Sequence, residues 1–202
     1  MLAIVGNTIN NNKYKLLNAF VYTNINRDCI KIEDEYHVDL TDSINMQNVF
    51  CLNESVSDAG KKVFKRIEDI MNKETFVCSN KGDPEMLFYI PFNSMVNIKL
   101  MTMVGGEEDT APLHVKLYAN KDNPDFSLIE DCQCTQEFEC IENSDGSASY
   151  ELKPSKFKSI TSLTIIIVLS KGADYSKIYS INFTGTRTKV RILLFNYLFI
   201  NF

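Results

Sequence analysis

From Met86 onward the chain is written in a repeat of two, and that repeat decides what it can fold into. Val96, Ile98 and Leu100 alternate with Asn97 and Lys99, and Val115 and Leu117 alternate with His114, Lys116 and Tyr118. Successive side chains of a strand point to opposite faces, so such alternation marks half-buried strands. Ile178, Ser180, Asn182 and Thr184 alternate with Tyr179, Ile181 and Phe183, which predicts a last strand with one apolar face. Leu163 to Leu169 is unbroken and β-branched, the pattern of a strand buried on both sides. Leu87 to Phe92 is also apolar but contains Pro91, which has no N–H for a ladder, so the strand is expected to end or bulge there. Gly105-Gly106-Glu107-Glu108-Asp109 reads as an acidic turn and Asn143-Ser144-Asp145-Gly146 as a hairpin-type turn. Short strands that do not alternate with helices indicate an all-β antiparallel sandwich or barrel.

The first half of the chain is less regular. Residues 1–36 carry Asn7, Asn10, Asn11, Asn12, Asn18, Asn24 and Asn26 and are read as an Asn-rich extension. The domain proper is placed at 37–189. Ile44, Met46, Val49 and Phe50 suggest a first strand, and Phe76-Val77-Cys78 another. Val63, Phe64, Ile67, Ile70 and Met71 have the spacing of a short helix inside an insertion near 58–72. Residues 190–202 form an apolar tail with one charge. Such a strand would aggregate if free. Lys189 followed by Val190 and Arg191 is compatible with an intron donor, so the tail is expected to be foreign to the domain, the alternative being a last strand.

Of the 202 residues 45% are hydrophobic and 23% charged, enough for one core without staples. The net charge of −5 argues against nucleic acid, whose phosphates require a basic face. Met1 to Phe20 lacks the layout of a secretory signal, and no apolar run is long enough for a membrane-spanning helix. Cys29, Cys51, Cys78, Cys132, Cys134 and Cys140 are therefore expected as reduced thiols in a cytoplasmic or nuclear protein.

Residues able to carry chemistry are sparse. Cys132-x-Cys134 with Cys140 lacks a nearby fourth zinc ligand. His37 and His114 are the only histidines, and neither is placed by sequence beside a nucleophile. Glu107-Glu108-Asp109 lacks the spacing of a calcium loop, and Gly105-Gly106 lacks the Lys-Ser/Thr ending of a phosphate loop. No catalytic, metal or cofactor-binding residue is assigned. Lys61, Lys62, Lys65 and Arg66 form the one basic cluster, a candidate contact for an acidic protein partner or simply a solvated helix face. In Cys51-Leu52-Asn53-Glu54-Ser55 the residues themselves suggest structure: Leu52 in the core, Asn53 or Ser55 bonding the backbone in a turn.

The same Cys51–Ser55 motif, with Val63-Phe64-Lys65, Leu87-Phe88-Tyr89-Ile90-Pro91-Phe92, Leu117-Tyr118 with Asn120, Ser162-Leu163-Thr164-Ile165 and Ile178 to Gly185, resembles the PITH domain in order and spacing. This is the proteasome-interacting module found at the C-terminus of thioredoxin-like proteins and also in chains without a thioredoxin part, the branch to which this sequence is most similar. The resemblance runs from about Asp39 to Thr188. It implies a jelly-roll, galactose-binding-like β-sandwich that is not catalytic, needs no cofactor, and binds the 26S proteasome through its regulatory particle. Two departures stand out. Arg66-Ile67 occupies a place where that branch often shows Pro-Trp, and the chain ends soon after Gly185, where relatives carry a polar extension. A sugar-binding sandwich is the alternative implied by the fold, although the chain has no tryptophan to stack on a ring.

Overall fold

The computed structural model describes residues 37–188 other than 142 and 144. The Asn-rich segment, Cys29 and the apolar tail lie outside the described residues. One long strand, β4 (Met86–Gly105), organises the rest. Up to Pro91 it pairs with β2 (Phe50–Leu52) and β8 (Ile160–Ser170). From Val96 it pairs with β7 (Ser149–Glu151) and β9 (Lys177–Arg187). The exchange of partners falls at the register break between Pro91 and Val96, beyond which β8 keeps only the pair Val96–Ile160. Pro91 thus bulges the strand without ending it, and its carbonyl accepts from Asn45 N at 2.8 Å. A strand that bends through a bulge from one sheet into the other makes a corner of a sandwich.

The first sheet continues through β8 to β5 (Pro112–Ala119) and β6 (Gln136–Glu139). In the second sheet, the outer edge of β9 is covered piecemeal. β1 (Val38–Asp39) pairs near one end, β3 (Val77–Cys78) near the other, and Phe64 makes a parallel bridge to Ile181 between them. An edge met by several short segments offers no template for another strand. Every pairing between the named strands is antiparallel.

The main core lies between the sheets, with Phe88, Ile90, Val115, Leu117, Leu163 and Ile165 facing Met101, Ile181 and Phe183. Phe64 stacks on Phe183 and meets Phe88 edge-on, with centroids 6.4 and 6.1 Å away. A smaller cluster of Leu87, Tyr118 and Ile166 sits on the outer face of the first sheet, against Phe126, Leu128 and Ile129 of the segment that contains α1 (Leu128–Asp131). β8 is therefore buried on both faces as far as Ile167, as its unbroken run predicts.

Several local expectations are corrected. Residues 63–71 are not one helix: 3₁₀ turns at Gly60–Val63 and Ile67–Asp69 are separated by extended Phe64, drawn out by its bridge to β9. Leu100 is 39% exposed, because a register shift between Ile98 and Leu100 changes the phase and turns Met101 and Met103 inward. Tyr118 is buried, because β5 also has a covered outer face. The polar face of β9 is buried too: Asn182 Nδ2 donates to Asp39 Oδ2 at 2.9 Å and to Lys65 O at 2.8 Å. The stretch from Asn143 to Gly146 is not a hairpin, since β6 before it pairs with β5 and β7 after it pairs with β4. The strand expected from Ile44 to Phe50 begins only at Phe50, as β2, with Ile44 making an isolated bridge to Phe92 and Met46 exposed in a turn.

Candidate interaction surface

The Cys51–Ser55 motif forms the junction where β2 ends. Cys51 turns toward the main core, and Leu52, expected in the core, packs instead against the smaller outer cluster. Asn53 adopts a left-handed φ of 64°, which asparagine tolerates. Its amide donates to Glu85 O at 2.6 Å and its side-chain oxygen accepts from Asn80 Nδ2 at 2.7 Å. The Glu54 carboxylate accepts from the backbone N–H groups of Asp58 and Gly60 at 2.6 and 2.7 Å. Ser55 N donates to Cys78 O at 2.8 Å. A Cβ on Gly60 would stand 2.4 Å from Cys51 Cβ, so this crossing admits only glycine without a shift. These contacts are internal and tie β2, the following turn and β3 together. Burial, aided by the charge of Glu54, pushes the Cys51 thiol far above the ordinary range.

The basic cluster divides. Lys65 points inward: its ammonium donates to the carbonyls of Asn72, Thr75 (3.0 Å) and Tyr179 (2.8 Å). Burial lowers its pKa, against the raising influence of Asp69 and Glu74. The other three point outward. Lys61 pairs with Asp58 at 2.8 Å, Arg66 with Asp42 at 2.7 Å, and Lys62 is exposed. The cations on the surface are thus Lys61, Lys62 and Arg66.

Beyond the loop that Lys65 anchors lies a cluster that sequence reading missed. Phe76, 45% exposed, meets Tyr179 edge-on with centroids 6.1 Å apart. Lys177 Nζ lies 4.6 Å from the Phe76 ring centre and 4.5 Å from that of Tyr179, and Lys73 Nζ is 5.1 Å from Tyr179. The Tyr179 hydroxyl donates to the Glu107 carboxylate at 2.7–2.8 Å, and Lys73 and Lys177 approach the same carboxylate at 3.4 and 3.8 Å. The Tyr179 bond, aided by Lys177 and Lys73, holds the Glu107 carboxyl below its usual value against slight desolvation. Glu107 thus organises two lysines instead of belonging to a merely solvated acidic turn. Met71 and Ile67 are exposed on the same loop, so apolar and cationic groups share one surface. The spacing of Lys177 and Tyr179 on one strand carried part of this signal; Lys73, Phe76 and Glu107 come from distant segments.

A cavity of about 20 Å³ opens between the Gly105–Pro112 turn, Cys140, Ile141, Tyr150 and Lys171. That is room for about one water and far below a typical small-molecule site. His114 Nε2 lies 3.4 Å from Glu137 Oε2 across β5 and β6. His37 is exposed at the first described position. No group of three or more metal-ligating side chains occurs among the described residues, and no helix among them is long and apolar enough to cross a membrane.

The family model described as PITH domain matches residues 31–195. The PITH domain-containing protein 1 of Dictyostelium discoideum is 32% identical over 160 residues, 79% of each chain. A PITH domain-containing protein of Caenorhabditis elegans is 36% identical over 155 residues, 76% of this chain and 73% of that one. The Homo sapiens PITH domain-containing protein 1 is 33% identical over 148 residues, covering 73% and 69%. Among solved structures, the family 32 CBM from C. perfringens NanJ in complex with galactose aligns with a TM-score of 0.51 at 9% identity, covering 74% of this chain and 99% of that one. The likeness shows the galactose-binding-like β-sandwich fold and nothing of ligand.

Proposed function

The chain belongs to the PITH domain family, and on that premise we propose that it is a non-catalytic protein-interaction module that associates with the 26S proteasome regulatory particle in the cytoplasm and nucleus. The observation that carries this reading is the family match over residues 31–195, most of the chain. The contacts made by Cys51–Ser55 support a structural role for that motif. The surface that offers itself to a partner combines Lys61, Lys62 and Arg66 with exposed Ile67, Met71 and Phe76. Aromatic and apolar anchors rimmed by charge suit protein recognition.

The test is binding of the full chain to purified regulatory particle. Association should be measurable at micromolar protein and should slow with added salt. Reversing Lys62 and Arg66 together should slow association while leaving the fold intact. Lys65 is unsuitable for this purpose, because its ammonium holds the loop. Absence of binding at micromolar protein overturns the reading; unchanged kinetics in the double variant overturns only the basic contact.

The sugar-binding alternative draws on the fold alone. Saturable binding of galactose by calorimetry would favour that alternative.

A further inference from the structure

The turn after β4 carries an acid onto a site built by other segments. Its backbone is pinned: Gly106 N donates to Lys177 O at 2.7 Å, and Glu107 O accepts from Thr110 N and Thr110 Oγ1 at 3.2 and 2.7 Å. A Cβ on Gly106 would stand 2.8 Å from Lys177 Cβ, so the turn lies directly against the start of β9. The Glu107 carboxylate there meets the Tyr179 hydroxyl, Lys73 Nζ and Lys177 Nζ. Phe76, 45% exposed, shares Lys177 with the Tyr179 ring, and Met71 is exposed on the loop that carries Lys73. Three donors beside an exposed ring thus form a cradle for one carboxylate, and the chain fills it with its own. The filling is held loosely. The Glu107 and Lys73 side chains are 54% and 36% exposed, and ion pairs so open to water add little to stability. Only the side chain has to swing out to empty the cradle, since the backbone is held. Exposed Glu74 and Glu108 flank Lys73 and Glu107 in sequence and would repel a run of acids. A single acid beside an aromatic residue fits.

We propose that Lys73, Lys177 and Tyr179 bind a carboxylate side chain carried next to an aromatic residue on a partner's peptide segment, and that Glu107 is a built-in competitor which that carboxylate displaces. In the bound state the partner's carboxylate accepts from the Tyr179 hydroxyl and faces both ammoniums, while its neighbouring ring packs on Phe76. Glu107 turns into water, where its charge is well solvated. Until the partner arrives, Glu107 keeps the lysines gathered over the rings, so the cradle is preformed. The same contact sets the affinity. A site that is open only part of the time binds with its intrinsic constant divided by the open fraction, so a cradle filled about nine-tenths of the time weakens binding about tenfold. The inference rests on reading the chain as an interaction module, but not on which assembly it joins.

The experiment titrates the isotope-labelled full chain with the acetylated and amidated peptide Ser-Leu-Phe-Glu-Ser, up to millimolar concentration, and follows backbone amides by NMR. Glu107→Gln should bind the peptide about tenfold more tightly than the unaltered chain, with shifts at Lys73, Phe76, Lys177 and Tyr179. Adding Lys73→Met to Glu107→Gln should remove most of that gain. The same peptide with glutamine in place of glutamate should bind none of these proteins. A thermal melt checks that Glu107→Gln is folded; should it unfold, the two peptides on the unaltered chain decide. Equal affinity of the unaltered chain and Glu107→Gln, equal affinity for the two peptides, or no shift at the four residues overturns the proposal. Such a result alongside regulatory-particle binding by the unaltered chain would strike the cradle and spare the proposed function. Peptide binding without regulatory-particle binding would do the reverse.

Discussion

Replacing Lys65 by Met removes one charge from a cluster of four but should act on stability before it acts on binding. Methionine keeps most of the apolar stem. The loss is the ammonium and its three bonds to the carbonyls of Asn72, Thr75 and Tyr179. Hydrogen bonds from charged donors are worth about 1.5–3 kcal/mol each by mutation. The Asn72 and Thr75 carbonyls belong to a surface loop, where water can replace much of what is lost. Taking the low end of that range and discounting two of the three bonds leaves about 2–3 kcal/mol. Lys65→Arg should restore little, because a planar guanidinium does not gather three carbonyls around one nitrogen. Lys62→Met, on an exposed position two residues upstream of Phe64, should change stability by less than about 0.5 kcal/mol. Urea denaturation followed by circular dichroism measures all three, and limited proteolysis should show cleavage after residue 66 in the Lys65 variants. A Lys65→Met protein within about 0.5 kcal/mol of the unaltered chain would refute the reasoning.

Three further outcomes are expected. A Cβ at Gly185 would lie 1.9 Å from Asn97 O, a backbone atom at the β4 register shift, so Gly185→Ala should cost more than about 3 kcal/mol and lower the melting temperature steeply. Burial alone would raise the Asp39 carboxyl, but bonds from Thr41 N, Ile67 N and Asn182 Nδ2 hold it below its ordinary value. A carboxyl depressed in the folded state contributes stability that is complete above its unfolded pKa and lost as pH falls through the folded one. Asp39→Asn should therefore cost about 1–2 kcal/mol at neutral pH and flatten the loss of stability below about pH 4, as read from denaturation midpoints across pH. Phe76→Ala should weaken regulatory-particle binding about tenfold, while costing about 1 kcal/mol or less in stability because the ring is half exposed.

The strands with strong local signals were legible, and the departures have common causes. The Leu163–Leu169 run predicted two covered faces because an unbroken β-branched segment has no polar side to offer water, and the structure agrees as far as Ile167. Leu100 failed because a bulge moves every later residue to the other face, and a bulge leaves no mark in the alternation itself. Asn182 and Ser180 failed because polarity was equated with solvent: Asn182 is covered by chain whose Lys65 carbonyl its amide satisfies, and Ser180 is buried with its hydroxyl unpartnered. The same error of range split the basic cluster. Lys61, Lys62, Lys65 and Arg66 are neighbours in sequence, but the acceptors that claim Lys65 come from residues 72, 75 and 179.

The cluster around Phe76, which adjoins the surface proposed for a partner, shows why its location could not be read from residue types. Glu107 was read as an acidic turn, Phe76 as the start of a strand and Tyr179 as part of an apolar face, while Lys73 carried no signal of its own. Each local reading was reasonable, yet the four meet because β9 begins beside the end of β4 and β3 pairs with its first residues. The Tyr179 hydroxyl fixes the Glu107 carboxylate, which in turn draws both lysines toward the aromatic rings. That order of dependence distinguishes a built surface from a chance crowding of charges. Removing the hydroxyl alone, by Tyr179→Phe, keeps the ring and both cations but frees Glu107. If the arrangement serves recognition, this variant should bind the regulatory particle more weakly while its melting temperature stays close to that of the unaltered chain. Unchanged binding alongside a lowered melting temperature would assign the cluster to the fold instead.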